Sequence, residues 1–498
     1  MPAQSILHVE ADVPRPFVGP DRTYQPLTFT IHADEPIEPG TQFRLMMGRF
    51  RSMLDNNPQR YRQWKDFEAE VDGEGGVEVL QGPPTEHHEM AAVRQGDPEL
   101  RNHYIMAVVQ VTKPVPAGGR IRLKIQVLLT HQAPIKARSF LQIKTPDHDE
   151  FQIVEPIAEL EAVPGDPVRL EARIKAAPEE DGTFSVQAFM TDAVYNPAEP
   201  RVSIDQLECE IAGPGQLAGE AVRVTGDAPV RIRVRDPRTG YESLTNPVAR
   251  DPFNGRRVYF GGIHWRCRFS GDGDRELHQA YEYARDTLQL DFAGVTDHTP
   301  IPHWDETLKI NADYNEPGRF VTLPAWEWST GTGHANIYLR APETPAGPRH
   351  ARTADHPGNA DWPDDAIVVP HHTNIVSNEL RADGSHYWRE YNWNLPNQRV
   401  RLVELLQTRG NFEQDQFDAD WGVVTGGIGA SVQDALAKGY RIGFVGGTDN
   451  HSGFPTRNAE MGQGYIGMAC VLADELSREA IWQAMNRRRT YATSGKPI

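Results

Sequence analysis

The sequence predicts a multidomain protein in which N-terminal all-β sandwich domains precede a C-terminal α/β barrel. Three observations support this fold class. The chain has 498 residues, which is more than one hydrophobic core usually organises. Its first half is a series of short strand-like segments separated by Gly- and Pro-containing turns. Its second half alternates apolar strand-like runs with helical patterns, which is typical of parallel β/α units.

The N-terminal half predicts two β domains. Segments such as QPLTFTIHA (25–33) and RIRLKIQVLL (120–129) have β-branched or alternating patterns, as expected for half-buried strands. A second set of strand-like segments follows a Pro-rich stretch around 154–167. We therefore predict a β-sandwich domain over residues 1–150 and an immunoglobulin-like sandwich over residues 151–250.

The pattern changes after residue 250. Leu277, Ala280, Ala284 and Leu288 recur at helical spacing between two apolar strands, and further segments around 431–439 and 477–489 also predict helices. About 240 residues of alternating strands and helices would suit a closed barrel. We predict this barrel over residues 255–498.

Composition limits the partners that the protein can have. The formal net charge of −18 disfavours nonspecific binding to nucleic acid or to an anionic membrane. The N-terminus lacks the pattern of a secretory signal, and no apolar run approaches membrane-spanning length. Three widely spaced cysteines do not make a disulfide framework, so we expect a cytoplasmic protein that acts on a small molecule. The oligomeric state cannot be predicted from the sequence.

Metal-competent side chains stand at the ends of successive predicted strands. In a parallel barrel these ends share one face, so residues distant in sequence can meet at one site. Imidazole and carboxylate groups suit zinc, manganese or iron. A single histidine at a strand end is usually only a polar residue at a turn, but six strand ends in succession predict a metal site. The residues concerned are His264, Asp297, His298, Glu327, His334, His371, His372, Glu404, Asp449 and His451.

The segments that carry these residues resemble successive motifs of the PHP (polymerase and histidinol phosphatase) superfamily. The motifs are VYFGGIHWRCRFSGDG, AGVTDH, VVPHH and GGTDNH. The longer segments LPAWEWSTGTGHANIYLR, VVPHHTN, GFVGGTDNHSGFPT and RRTYATSG resemble domain-of-unknown-function family 3604, a branch of that superfamily. The resemblance covers about residues 255–498.

The resemblance implies a distorted (β/α)7 barrel with two metal ions, within a range of one to three, and hydrolysis of a phosphate ester by metal-activated hydroxide. The ions would be Mn, Zn or Fe, and the substrate would be anionic. His372, Asn336 and Glu404 match features of the branch and are expected to contact substrate or to support the ligands. The implied metal ligands are His264, His298, Glu327, His334, His371, Asp449 and His451.

Two positions depart from the family pattern. The family opens with Gly-Asp-x-His-x-His, whereas this chain has Gly262 in place of the aspartate and Arg266 in place of the second histidine. Arginine stays protonated and does not ligate metals, so one ion should lose a ligand. Arg266 could instead replace the missing charge and bind an oxyanion, and we include it with His372 and Glu404 among the catalytic candidates. The family also usually continues into further strands beyond the RRTYATSG motif, so either a short tail follows or the last barrel strand is unsupported.

Other functions remain open at the level of sequence. The same metal chemistry could cleave an acyl, lactone or sulfate ester, and Gly262 and Arg266 would also suit a degenerate barrel that serves as a binding or scaffold protein. Cys267 could be a reactive thiolate between two arginines or a packed bystander. Trp326, Trp328, Trp388 and Trp393 could line a pocket or belong to the core. The His87–His88 pair and the Ser270–Gly273 turn have simpler explanations as surface and turn residues.

Overall fold

The structure is a computed structural model that contains mostly β-strands and few helices. It describes residues 7–18, 23–48, 64–82, 103–128, 133–270, 273, 275–298, 303–330, 333–341, 362, 364–375, 390–395, 398–415, 429–458 and 463–494. Two compact units divide the chain, at Met1–Gly165 and Asp166–Ile498. The first unit extends beyond the predicted boundary at residue 150, because the strand Gln152–Val163 pairs with the strand before it.

The first unit contains two sheets that share one apolar core. One sheet has the order β1-β3-β8-β5 and the other β2-β10-β9-β4-β7-β6. On β8, Ile121, Leu123 and Ile125 are buried, and the intervening side chains are more exposed, as the alternating sequence predicts. The strands are β1 Leu7–Asp12, β2 Phe17–Val18, β3 Gln25–Ala33, β4 Gln42–Gly48, β5 Trp64–Asp72, β6 Gly76–Gln81, β7 His103–Lys113, β8 Arg120–Val127, β9 Ile135–Lys144 and β10 Gln152–Val163.

The second unit begins with eight further strands, which also form two sheets around a separate apolar core. The orders are β11-β12-β16-β15, with β13 paired to β12, and β14-β17-β18. The strands are β11 Arg169–Ile174, β12 Phe184–Thr191, β13 Pro197–Val202, β14 Glu208–Ala212, β15 Gly215–Ala218, β16 Ala221–Val224, β17 Arg231–Arg235 and β18 Glu242–Leu244. A 3-10 turn lies at Ile204–Gln206.

The rest of the second unit contains the remaining strands and the four described α-helices. The strands are β19 Arg257–Gly262, β20 Phe292–Ala293, β21 Val321–Thr322, β22 Ala325–Thr330, β23 Gly333–Leu339, β24 Ala366–His371, β25 Leu402–Gln407, β26 Gly410–Asn411, β27 Gly443–Gly446, β28 Arg457–Asn458, β29 Gln463–Tyr465, β30 Met468–Ala473 and β31 Thr490–Thr493. The helices are α1 Leu277–Glu282, which continues as a π-helical turn at Tyr283–Thr287, α2 Trp304–Asp313, α3 Val432–Ala437 and α4 Arg478–Asn486. A 3-10 turn lies at Arg268–Ser270.

The predicted run of parallel strands is only partly present. Parallel pairs join β19 to β20, β20 to β21 and β25 to β27, but β22, β23 and β24 are antiparallel to one another. Only two residues separate β22 from β23, and a connection that short can form a hairpin but no parallel crossover. The described strands make separate sheets, linked by single bridges such as His298 to Glu327 and Val368 to Val400. They do not form one continuous (β/α)7 barrel wall.

Within the second unit, residues 166–250 pack closely against the later part. The Arg457 Nη2 atom lies 2.7 Å from Glu171 Oε1, and both side chains are buried. Phe189 belongs to the same apolar cluster as Phe260 and Trp265. A charged contact and an apolar contact therefore join the two parts. Among the described helices, none is long and apolar enough to cross a membrane.

Candidate metal centre

Short strands bring the predicted ligands together. His264 follows β19 and His298 follows β20, whereas Glu327 lies within β22. In the hairpin β22–β23 Glu327 pairs with Asn336, and on the other side of β23 His334 pairs with His371. Directly opposed residues of antiparallel strands lie close together. The antiparallel sheet therefore places a carboxylate and two imidazoles side by side.

Glu327 lies at the centre of the cluster, with its two oxygens facing different partners. Its Oε1 atom accepts from Ser329 at 2.6 Å and lies 2.8 Å from His334 Nδ1 and 3.4 Å from His371 Nε2. Its Oε2 atom lies 3.4 Å from His264 Nε2 and also contacts Arg266. Glu327 thus separates His334 and His371, here called the histidine side, from Arg266 and His264, here called the arginine side, of the same buried site.

Two buried groups of side chains could hold a metal ion. One consists of His264, Glu327 and His371, and the other of His334, His371 and His372; in each group the ligand atoms lie within 4.8 Å of one another. Neither ring nitrogen of His371 has a hydrogen-bond partner of good geometry among the described residues. A buried imidazole without such a partner is costly, and a metal ion would satisfy it.

The histidines differ in protonation. Burial, followed by the neighbouring His264, lowers the pKa of His371 to about 3. Burial, His371 and His334 hold the pKa of His372 well below its usual value. Burial alone would also lower the pKa of His264, but the carboxylates of Glu404 and Asp449 outweigh it and raise that pKa well above the usual value. His371 and His372 are therefore neutral at pH 7 and offer lone pairs, as metal ligands must.

Glu404 orients His264. Its Oε2 atom lies 2.7 Å from His264 Nδ1, and both side chains are fully buried. A carboxylate on Nδ1 leaves Nε2 directed at the site, an arrangement common beside metal-bound histidines. Gly447 makes room for this contact, since a Cβ atom there would lie 2.0 Å from Glu404 Oε2 and 2.7 Å from the His264 Cβ.

Arg266 points into the site. Its guanidinium Nη2 atom contacts Glu327 Oε2 and donates to Asp449 Oδ1 at 2.9 Å. Its Nη1 atom donates to the Thr296 carbonyl at 2.7 Å. His264 Nε2 faces the same two oxygens, at 3.4 Å from Glu327 and 3.3 Å from Asp449. The sequence predicts Arg266 at the position of a lost ligand, and the structure adds which carboxylates it contacts.

A second arginine, which sequence reasoning missed, lies beside the first. The Arg409 Nη1 atom contacts Asp449 Oδ2, and the same oxygen accepts from Gln407 Nε2 at 2.9 Å. Burial would raise the pKa of Asp449, but Arg409, His264 and Arg266 hold it well below its usual value. In the sequence, Arg409 is marked only by its position just after a strand: Gln407 ends β25, and Arg409 follows in the turn to Gly410.

Burial also opposes ionisation of Glu327. Arg266, followed by His298 and His371, overcomes this effect and holds the pKa of Glu327 well below its usual value. Both acidic residues of the pair are therefore ionised at neutral pH, and each has an arginine partner. The strong local positive charge explains how two carboxylates remain anionic in a buried site.

The structure explains the glycine that replaces the family aspartate. A Cβ atom at Gly262 would lie 2.6 Å from Pro455 Cβ and 3.2 Å from Thr456 Cγ2. Atoms of this kind cannot approach so closely, so no side chain fits there without a shift of the Pro455 loop. Gly262 therefore does not leave an open position that a carboxylate could reach.

The other predicted residues lie around this centre. His298 is partly exposed, and its Nδ1 atom lies 2.7 Å from Ser329 Oγ and 3.6 Å from Glu327 Oε1. His451 is buried but lies outside the two ligand groups found among the described residues. Asp449 and His372 have φ angles of 54° and 34°. Such backbone conformations are rare in residues other than glycine and often occur at functional sites.

The remaining candidates have structural positions. Cys267 is buried, its Sγ lies 2.9 Å from Asp297 Oδ2, and burial raises its pKa well above the usual value; it is a neutral thiol. Trp326, Trp328 and Trp393 pack in an apolar cluster. Asp272, Trp388, His87 and His88 lie outside the described residues.

The donor set fits a metal ion on the histidine side of Glu327. It consists of imidazoles, among them the neutral ones of His371 and His372, and an ionised carboxylate, which suit a divalent transition metal. On the other side of Glu327, Arg266 contacts both Glu327 and Asp449.

The C-terminal end of the chain matches a known protein family. Residues 458–498 match the model of DUF3604, a protein family of unknown function. The matched stretch includes the segment RRTYATSG. It confirms the resemblance to domain-of-unknown-function family 3604 for that segment. The stretch is short and excludes the candidate ligands.

Relatives among curated proteins are distant. The chain is 24% identical over 293 residues to an uncharacterized protein of Chlamydia muridarum and 23% identical over 293 residues to one of Chlamydia trachomatis. Each match covers 54% of this chain and 44% of the relative. The chain therefore spans less than half the length of these relatives.

Two solved structures resemble this chain only weakly. A two-domain protein of Bacteroides vulgatus, described as containing a predicted PHP-like metal-dependent phosphoesterase, is 18% identical, with a TM-score of 0.31 over 48% of this chain and 66% of the other. AggA, the major subunit of an Escherichia coli adherence fimbria, is 10% identical, with a TM-score of 0.17 over 32% of this chain and 94% of the other. At these scores neither likeness supports an argument about fold or activity.

Proposed function

We propose that the second unit is a metal-dependent hydrolase whose leading substrate class is a phosphate ester. The observation that supports this most is the buried pair of ligand groups that share His371. An ion held there would lower the pKa of a bound water and polarise a substrate oxygen. The resemblance to the PHP superfamily, carried by the motifs around His264, His371 and Asp449, favours phosphate over other esters.

The side chains around the centre have distinct roles in this proposal. His334, His371 and Glu327 would hold the ion, with His298 beside them. His372 lies against His334 and His371, with ring centroids 4.7 and 4.5 Å away. Glu404 fixes the orientation of His264. Arg266 and Arg409 place positive charge next to the ion, where an anionic substrate would need it. Asp449 and His451 remain proposed ligands from the sequence motif.

Two broader assignments also remain proposals. We propose three structural parts, residues 1–150, 151–250 and 255–498, although the compact units divide the chain only at Gly165. We propose a reducing cytoplasm as the location, since Cys209, Cys267 and Cys470 are all free thiols.

The function is tested by metal content followed by activity. Protein purified without chelators should contain stoichiometric Mn, Zn or Fe and should hydrolyse a chromogenic phosphate ester. His371→Ala should lose the metal and the activity, whereas His278→Ala, a change on the surface of α1, should keep both. Activity on acyl esters alone would contradict the phosphoesterase assignment. Absence of bound metal, with no rise in melting temperature on adding it, would favour a scaffold or binding protein.

A further inference from the structure

Within the proposed hydrolase site, we infer that Arg266 and Arg409 together take the place of a second metal ion. The inference concerns the site of the proposed function and rests on that proposal. It assigns a centre that holds one divalent ion beside a pair of guanidinium groups.

Arg266 lies where a second metal ion would bind. Arg266 Nη2 contacts Glu327 Oε2 and Asp449 Oδ1, and His264 Nε2 faces the same two oxygens. A cation bound by two carboxylates and this imidazole would stand where the Arg266 guanidinium stands. The Thr296 carbonyl fixes the other end of that guanidinium, 2.7 Å from Nη1, so Arg266 is built into the site.

The two arginines also supply the positive charge that a second ion would supply. Glu327, Asp449 and Glu404 are buried carboxylic acids, and a buried carboxylate needs a cationic partner. Two arginines contribute two positive charges, as one divalent ion would. With both arginines and one ion, the site has the same charge as a two-ion site without arginines. A second ion added beside the arginines would leave a large excess of buried positive charge.

The two sides of Glu327 differ in their ability to bind a metal ion. The side facing His334 and His371 contains imidazoles, which can release a proton and bind an ion. The side facing Asp449 contains Arg266 and, next to it, Arg409, and arginine keeps its proton at any ordinary pH. The two guanidinium groups occupy the side that His264 also faces, and this leaves the side of His334 and His371 for the metal ion.

The arginines also suggest how substrate is held. Arg266 is almost fully buried, with 1% of its side chain exposed, whereas Arg409 has 16% exposed. Arg409 is therefore the one that an incoming anion can reach. A guanidinium binds two phosphate oxygens in a fork-like geometry, so the arginine pair suits a phosphate group better than a neutral carbonyl group.

The test counts ions. Wild-type protein and the variants Arg266→His, Arg266→His/Arg409→Gln and Arg268→His are reconstituted with Mn²⁺, dialysed and subjected to elemental analysis and electron paramagnetic resonance. We expect one isolated Mn²⁺ in the wild type and in Arg268→His, a matched change at an exposed arginine bound to Glu276. We expect two spin-coupled ions in the double variant and a count between one and two in Arg266→His.

The outcomes separate the inference from the proposed function. Two ions in the wild type, or one ion in every variant, overturn the inference and leave the hydrolase proposal in place. No ion in the wild type overturns both. If the Arg266 variants do not fold, Arg409→Gln alone decides, because loss of one nearby positive charge should tighten the first Mn²⁺ at least about tenfold. An unchanged affinity of that variant overturns the inference.

Discussion

Asp291 makes the stability of the second unit depend on pH, and this dependence can be isolated. The residue is buried immediately before β20. Its Oδ2 atom accepts from the Phe260 amide at 2.8 Å, and its own amide donates to the Phe260 carbonyl at 2.9 Å. These bonds tie β20 to β19, the strand that ends before His264. Burial raises the pKa of Asp291 from 3.8 to about 7.

The raised pKa determines the direction and the size of the pH effect on stability. The folded pKa lies above the unfolded one, so the folded chain binds the proton more tightly. The stability supplied by this proton is complete below about pH 4 and is lost as the pH rises through about 7. A pKa raised from 3.8 to about 7 changes the free energy of unfolding by roughly 4 kcal/mol in total. About 2 kcal/mol of this stability is lost between about pH 5.5 and 7.5.

The measurement compares wild type with Asp291→Asn in urea unfolding at several pH values. Nine of the ten tryptophans lie in residues 166–498, so tryptophan fluorescence reports mainly on this unit. Because the variant cannot bind the proton, its stability relative to wild type should rise by about 2 kcal/mol across this range. Asp313→Asn, an exposed change at the end of α2, should show no such trend. A constant difference between wild type and Asp291→Asn would refute the assignment.

Two further predictions concern the site and the thiols. Glu327→Gln should weaken Mn²⁺ binding by at least about tenfold in a calorimetric titration, because the negative charge beside His334 and His371 is lost. Glu413→Gln, on the surface, is the control, and an equal affinity for both variants would show that Glu327 does not hold the ion. Iodoacetamide at pH 8 should label the native protein at Cys209 only, because Cys267 and Cys470 are buried. Burial also raises the pKa of both buried thiols, that of Cys470 to about 12. Labelling of either buried cysteine without denaturant would contradict the packing described for it.

Several elements could be predicted from the sequence because their pattern is local. β3 has the predicted bounds, and β8 lies close to its predicted bounds, because alternating apolar and polar residues indicate a half-buried strand. The helix at 478–486 was also predicted, because its buried residues recur at helical spacing. The candidate ligands His264, Glu327 and His371 were predicted from their places at strand ends and in the motifs.

Other elements could not be predicted because their pattern does not distinguish the alternatives. β23 and β24 are buried along their whole length, and continuous apolar runs are typical of parallel strands. β23 is antiparallel to β22 because two residues connect them, whereas its antiparallel pairing with β24 depends on long-range contacts. Arg409 has no motif, and only the fold brings it within reach of Asp449. The orientation of Arg266 toward two carboxylates likewise depends on residues 61 and 183 positions away.

The contact between Arg457 and Glu171 determines where the chain could be cut for expression. A fragment that began at residue 255 would lack Glu171, the carboxylate partner of Arg457, and would lack Phe189 from the cluster around Trp265. The surface that these residues cover would then face water, and exposing apolar surface costs roughly 25 cal/mol per Å². The shortest autonomous fragment that keeps the candidate site should therefore start near Asp166 and include residues 166–250 as an integral part of its core.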